Sequence, residues 1–151
     1  MAHPAWVRTT FSEDDLDAIA AAIAAVERRA AAEVRVHLEQ RVPGGDALQR
    51  AQTLFQRLGM ERTRRRNGVL LYLALDDHKL AVVGDVGVHT RVGPAYWERV
   101  RDLMVGHLRA RHSAREAVLD AVEELGRMLA EHFPRAPGEA GGELSDEVSA
   151  H

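Results

Sequence analysis

Hydrophobic positions are densest between Asn67 and Asp85, in the run NGVLLYLALDDHKLAVVGD. Val69 to Leu75 is apolar at almost every position, and Leu80 to Val83 is apolar again. A strand covered on one face alternates apolar and polar residues, so this run predicts two central strands with helices on both faces. Asp76, Asp77 and His78 supply the polar turn of a tight hairpin between them. Glu33 to Glu39 alternates instead, with Val34, Val36 and Leu38 on one face and Glu33, Arg35, His37 and Glu39 on the other. That pattern predicts a strand with one wet face, nearer the sheet edge than the hairpin.

Helical spacing fills most of the remainder. Ser12 can cap a first helix, with Asp15 three residues on and Glu13 and Asp14 favouring the positive end of its dipole. Phe11 and Leu16 occupy the positions of a hydrophobic staple, and Leu16, Ile19, Ile23 and Val26 carry the helix to about Arg29. After the break at Pro43, Gly44 and Gly45, a second helix is expected from about Asp46 to Leu58. Its stripe is Leu48, Ala51, Phe55 and Leu58, and Gly59 is its left-handed C-cap.

Asp85 to Gly93 reads as a loop, followed by helices from about Pro94 to Arg111 and from about Ser113 to Phe133. Ser113 and Glu116 form a capping-box pair at the start of the latter. Strand, helix, strand implies a parallel, right-handed crossover, and the hairpin adds an antiparallel neighbour. The expected fold is α/β: one domain over residues 1–133, a mixed central sheet flanked by helices in three layers. Residues 134–151, acidic and containing glycine and proline, are expected to be a mobile tail.

Composition narrows the chemistry. The 151 residues suffice for one domain, and the absence of cysteine removes thiol catalysis and leaves His and carboxylates as metal ligands. The net charge of −3 resides in the tail, where Arg135 is outnumbered by Glu139, Glu143, Asp146 and Glu147. The neutral body lacks the basic field of a nucleic-acid binder, so no nucleic-acid partner is expected. No stretch approaches the roughly 20 apolar residues of a membrane-spanning helix. The opening MAHPAWVRTTFSEDD does not read as a secretory signal, and the sequence as written suits the cytoplasm.

Three groups carry candidate chemistry. Asp76 and Asp77, with His78, are candidate metal ligands, although neighbouring residues in a turn diverge and calcium wants six or more oxygens; a solvated turn is the simpler reading. Asp85 ends a buried strand beside Gly84 and Gly87, where open α/β sheets place ligands. His89, Glu33 and His37 are its candidate companions, a set suited to a transition metal. The plainer alternative has Asp85 capping a helix or satisfying backbone amides. Arg62, Arg64, Arg65 and Arg66 form the concentrated basic segment, able to meet phosphates or anionic lipid headgroups, or else to be solvated and paired with acids such as Glu61. No nucleophile elbow or phosphate-binding loop motif occurs.

The stretches FSEDDLDAI, AAAEVRVHLE, LFQRLGMERTRRRNGVLLYLALDDHKLAVVGDVGV and the closing EHFP together resemble the TPM domain family, in its short bacterial stand-alone form. That family is named for a thylakoid-lumen protein of photosystem repair, a related photosystem protein and an auxiliary subunit of acetylcholine receptors. The resemblance implies a three-layer α-β-α sandwich, acid phosphatase activity as attributed to plant members, and calcium bound in a crevice as reported for some. This chain departs from the family pattern at two places. His89 stands where a Glu is typical, and Gly93-Pro94 stands where a Thr-Asp pair is typical.

Combined with the lack of a strong catalytic constellation, the resemblance leads to the expectation of a non-catalytic binding or accessory module. Its partner would be a protein, in the maintenance of membrane complexes, with the inner membrane face as a location. The alternative is a weak metal-dependent acid phosphatase with a site near Asp85, holding a divalent cation such as calcium. An oligomer built on a helix face is a third reading.

Overall fold

The computed structural model describes residues 4–110, 113–135 and 148–150. A short helix, α1 (Ala5–Thr10), unannounced by any periodicity, buries Val7 in the main core. Helix α2 (Glu13–Arg29) begins with a complete capping box. The Asp15 amide donates to Ser12 Oγ at 3.0 Å, and the Ser12 amide donates to the Asp15 carboxylate at 3.0 Å. Phe11 is buried against the same core as Leu16, as the staple requires.

Strand β1 (Glu33–Glu39) leads to helix α3 (Ala47–Arg57), capped by Asp46 and stopped at Gly59, whose φ of 69° is left-handed. A 3-10 turn (Met60–Arg62) precedes the hairpin of β2 (Gly68–Ala74) and β3 (Lys79–Gly84). Helices α4 (Val86–Val92), α5 (Pro94–Ala110) and α6 (Ala114–His132) follow, and a two-residue strand, β4 (Ser149–Ala150), closes the described chain. Arg111, the expected end of α5, lies outside the described residues.

The sheet runs β3-β2-β1-β4. β1 and β2 are parallel with Val34 opposite Val69, β2 and β3 antiparallel with Leu71 opposite Val82, and β4 parallel to β1. One face of the sheet (Val34, Val36, Leu38, Val69, Leu71, Leu80) packs with α2, α5 and α6. The other (Leu70, Tyr72, Ala74, Ala81) packs with Ala51, Leu54 and Phe55 of α3 and with Met60. Apolar residues on both faces of β2 thus do what the continuous hydrophobic run requires, giving a three-layer sandwich.

Four expectations need correction. First, β1 is interior and β3 is the edge strand, the reverse of the order read from alternation. Alternation reports which face is apolar, and it does not show that the polar face is wet. Here the polar face is covered by α3, and Glu33, His37 and Glu39 are all buried. Second, the segment after Asp85 is a helix, because Asp85 caps it and Gly87 is needed for close approach rather than for flexibility.

Third, Leu48 is half exposed, and Leu54 takes the buried place on α3. Fourth, the end of the expected mobile tail is structured: Val148 and Ser149 are buried, and Ser149 pairs with His37 of β1. Its beginning is held too, with Pro134 bridged to Ala30 and the Arg135 amide donating to the Arg29 carbonyl at 3.0 Å, while residues 136–147 and 151 lie outside the described residues.

Candidate functional site

The segment Gly84–Gly87 is built by three close contacts. A Cβ at position 84 would lie 2.2 Å from the Trp97 ring, so glycine there lets the indole approach the end of β3 closely. A Cβ at position 87 would lie 2.2 Å from the Arg65 carbonyl oxygen, and the Gly87 amide donates to the Arg66 carbonyl at 2.8 Å. Between them, the Asp85 amide donates to Gly68 at 2.8 Å, extending the β2–β3 ladder by one residue.

The Asp85 carboxylate is buried and fully engaged. Arg66 grips it with both arms of its guanidinium, Nε to Oδ2 at 2.7 Å and Nη2 to Oδ1 at 2.9 Å. The Val86 amide donates to Oδ1 at 2.8 Å, which caps α4. Arg66 itself sits at φ 52°, an unfavourable region for a side chain of its size, and the grip on Asp85 holds it there. Its guanidinium stays fully protonated: the hydrogen bond to Asp85 raises its pKa, against weaker desolvation.

Asp85 and His89 line one crevice of about 560 Å³ between α3 and the start of α4. Gln52, Phe55 and Gln56 form the α3 wall, and the half-exposed Val86 stands opposite. His89 Nδ1 accepts a hydrogen bond from Trp97 Nε1 at 3.1 Å, which leaves the ring proton on Nε2. The structure therefore brings Asp85 and His89 together but not the other expected companions. Glu33 lies two strand spacings away in the same row, about 9.5 Å across Gly68, and does not line the crevice.

His37 is buried elsewhere, bonded through Nδ1 to Ser149 Oγ at 2.8 Å. Asp77 accepts from the Val42 amide at 2.8 Å, a turn-to-loop tie, and Asp76 is held through its amide by Gln40. Among the described residues no cluster of three or more His, Asp or Glu is placed to hold a metal ion. The donor set in the crevice does not fit calcium, since its buried carboxylate is already neutralised by Arg66 and the other acid lining it is Glu61 alone. In the basic segment Arg62, Arg64 and Arg65 are exposed, and Arg66 serves Asp85.

A polar network on the α3 face of β1 gave no sequence signal. Arg50 grips Glu39 with Nε at 2.7 Å and Nη2 at 3.2 Å, and the Tyr72 hydroxyl donates to the same carboxylate at 2.8 Å. Burial raises the Glu39 pKa, but the hydrogen bonds from Arg50 and Tyr72 outweigh it and hold the carboxyl below its ordinary value. Helix α2 is tied to the sheet by Glu27, which accepts from the Val34 amide at 2.8 Å.

A mixed sheet between a layer formed by α3 and a layer built on α2, α5 and α6, with a glycine-flanked Asp at the end of its antiparallel edge strand, defines a small α/β sandwich domain. The TPM domain sequence profile matches residues 7–128, and the chain belongs to that family. The chain is similar to the BA42 protein of the psychrophilic bacterium Bizionia argentinensis. The identity is 29%, the TM-score 0.81, and coverage is 93% of this chain and 95% of that one. The N-terminal domain of the cg2496 protein of Corynebacterium glutamicum shares the fold at 16% identity and TM-score 0.63, covering 90% of this chain and 84% of that one. An N-terminal domain from P. gingivalis does so at 20% identity and TM-score 0.60, covering 84% and 83%. No protein of curated function gives a significant sequence match. No helix among the described residues is long and apolar enough to cross a membrane.

Proposed function

We propose that this TPM domain is a non-catalytic binding module whose contact surface is the crevice between α3 and α4. The carrying observation is the engagement of both Asp85 oxygens by Arg66 and the Val86 amide, which makes the acid a structural clasp. A carboxylate so held is a poor nucleophile and a poor cation ligand, because either role requires displacing the two-armed Arg66 guanidinium from it. What the crevice offers instead is recognition chemistry: the Gln52 and Gln56 amides, the Phe55 ring and the exposed Val86. A protein partner presenting an apolar side chain with polar backbone beside it suits that surface, in keeping with an accessory role at a membrane complex.

The test is a photo-crosslinking residue at position 86, alone and combined with Gln52→Ala plus Gln56→Ala as the competing surface variant. A discrete cross-linked partner that disappears in the variant supports the reading. Crosslinking indifferent to the variant contradicts it.

The shared crevice of Asp85 and His89 favours one second reading, a weak phosphatase. In that reading a divalent cation or substrate must displace Arg66 from Asp85 before any turnover. Loss of activity on adding an Asp85 substitution is its signature.

A further inference from the structure

At the C-terminal end of α4, a second cleft of about 260 Å³ is lined by Arg91, Val92, Tyr96, Arg99 and His132. Its charged side chains are all cationic or able to become so. Arg91 is positioned by its guanidinium, which lies 5.0 Å above the Phe133 ring. His132 and Tyr96 meet edge to face at 5.0 Å, and the other side of Tyr96 meets Trp97 at 5.2 Å. Tyr96 is 98% buried by these contacts and sits in the first turn of α5, where the helix dipole is positive.

Yet the Tyr96 hydroxyl is buried and has no hydrogen-bond partner among the described residues. Proteins rarely leave such a group unsatisfied, because it loses its water bonds and gains nothing. Burial raises the Tyr96 pKa, the exposed Glu131 adds to that, Arg99 opposes it, and the result is about 12. The phenol is therefore a standing donor at physiological pH. No ion pair to Arg91 or Arg99 is formed by any described carboxylate.

We infer that this cleft binds a single phosphate group, taken between the Arg91 and Arg99 guanidiniums with the Tyr96 hydroxyl as the buried donor. Guanidinium forks match phosphate oxygens in pairs, and a phosphate monoester carries about −1.5 to −2 charges near neutrality. His132 at the rim adds a fourth donor. The volume is below the roughly 300–1,000 Å³ of a drug-sized site, which favours a phosphate terminus over a whole nucleotide. This goes beyond the crevice reading and does not depend on Asp85.

The experiment titrates the full-length chain with inorganic phosphate and follows backbone amides by NMR. A parallel arm uses phosphatidylcholine vesicles with and without phosphatidic acid. Wild type should show saturable shifts centred on residues 91–99 and 132, and Tyr96→Phe should bind about tenfold more weakly. In phosphate-free buffer Tyr96→Phe should be as stable as wild type or more so, because it deletes only the orphaned hydroxyl. Arg99→Gln, an exposed change with no folding consequence, should also weaken binding.

Co-sedimentation with phosphatidic acid that is lost in Tyr96→Phe assigns the phosphate to a lipid headgroup. Phosphate shifts without co-sedimentation assign it to a soluble source. Equal affinity in wild type and Tyr96→Phe, shifts centred on Arg62–Arg66, or no saturable binding overturns the inference.

Discussion

Replacing Arg50 with Met removes the fork from Glu39 while keeping most of the apolar stem that packs on the sheet. Both side chains are largely buried, with Arg50 14% exposed and Glu39 8% exposed, so screening by solvent is slight. Removing one partner of a buried ion pair costs about 3–5 kcal/mol, because the other charge is left desolvated. Here Tyr72 still donates to Glu39 at 2.8 Å, which puts the expected loss at the lower end, about 3 kcal/mol.

At a urea m-value near 2 kcal/mol/M this moves the midpoint down by about 1.5 M, read by far-UV circular dichroism. The sign of the pH dependence makes the test sharper. In wild type the Glu39 carboxyl is held below its ordinary value, so its stabilisation is complete above that value and is lost as pH falls through the lower native one. In Arg50→Met, burial is opposed by Tyr72 alone, the native carboxyl takes up a proton more readily, and acidification relieves the buried charge. The gap between wild type and variant should therefore narrow below about pH 5. A loss under 1 kcal/mol at pH 7, or a gap independent of pH, would refute the reasoning.

Gly84→Ala should cost roughly 2 kcal/mol and shift Trp97 fluorescence, because its Cβ would lie 2.2 Å from the indole ring. An unchanged emission spectrum would show that the indole does not lie on Gly84. Leu54→Ala should cost about 3 kcal/mol while Leu48→Ala stays within about 0.5 kcal/mol, since Leu54 is fully buried and Leu48 is half exposed. Equal losses by urea titration would restore Leu48 to the core. Ser149→Ala should cost about 1 kcal/mol by removing the bond to His37, and should speed hydrogen exchange at residues 148–150 while leaving β2 unaffected.

How much of this was legible in the sequence depended on the range of the interaction that decides each feature. The β2 run, the Ser12–Asp15 capping box and the Gly59 stop are local patterns, and the structure contains all three. The place of β1 in the sheet was not legible, because its polar face is satisfied by Arg50, which belongs to the following helix. Helix α4 was hidden by Gly87, whose lack of a side chain serves the Arg65 carbonyl rather than a loop. A short further edge strand was expected, but its place at Ser149–Ala150 was not legible, since two residues paired across more than a hundred positions leave no periodicity.

The candidate site was half legible. Its location at the end of β3 follows from α/β sheet geometry, and Asp85 and His89 do share a crevice. What could not be read was that Arg66, 19 residues earlier, would occupy the acid. The Arg62–Arg66 run looked like one solvated patch, and Arg66 is set apart by its left-handed backbone and its grip on Asp85. The buried Tyr96 hydroxyl beside Arg91 and Arg99 likewise depends on α4 existing as a helix.

The clasp at Asp85 is tested most directly by phosphate-ester turnover of highly purified wild type and Asp85→Asn, assayed with calcium and with zinc. The binding-module reading expects any residual hydrolysis to fall away on purification and to be the same in both proteins. Turnover that survives purification in wild type and vanishes in Asp85→Asn would contradict it and place Asp85 in a catalytic site.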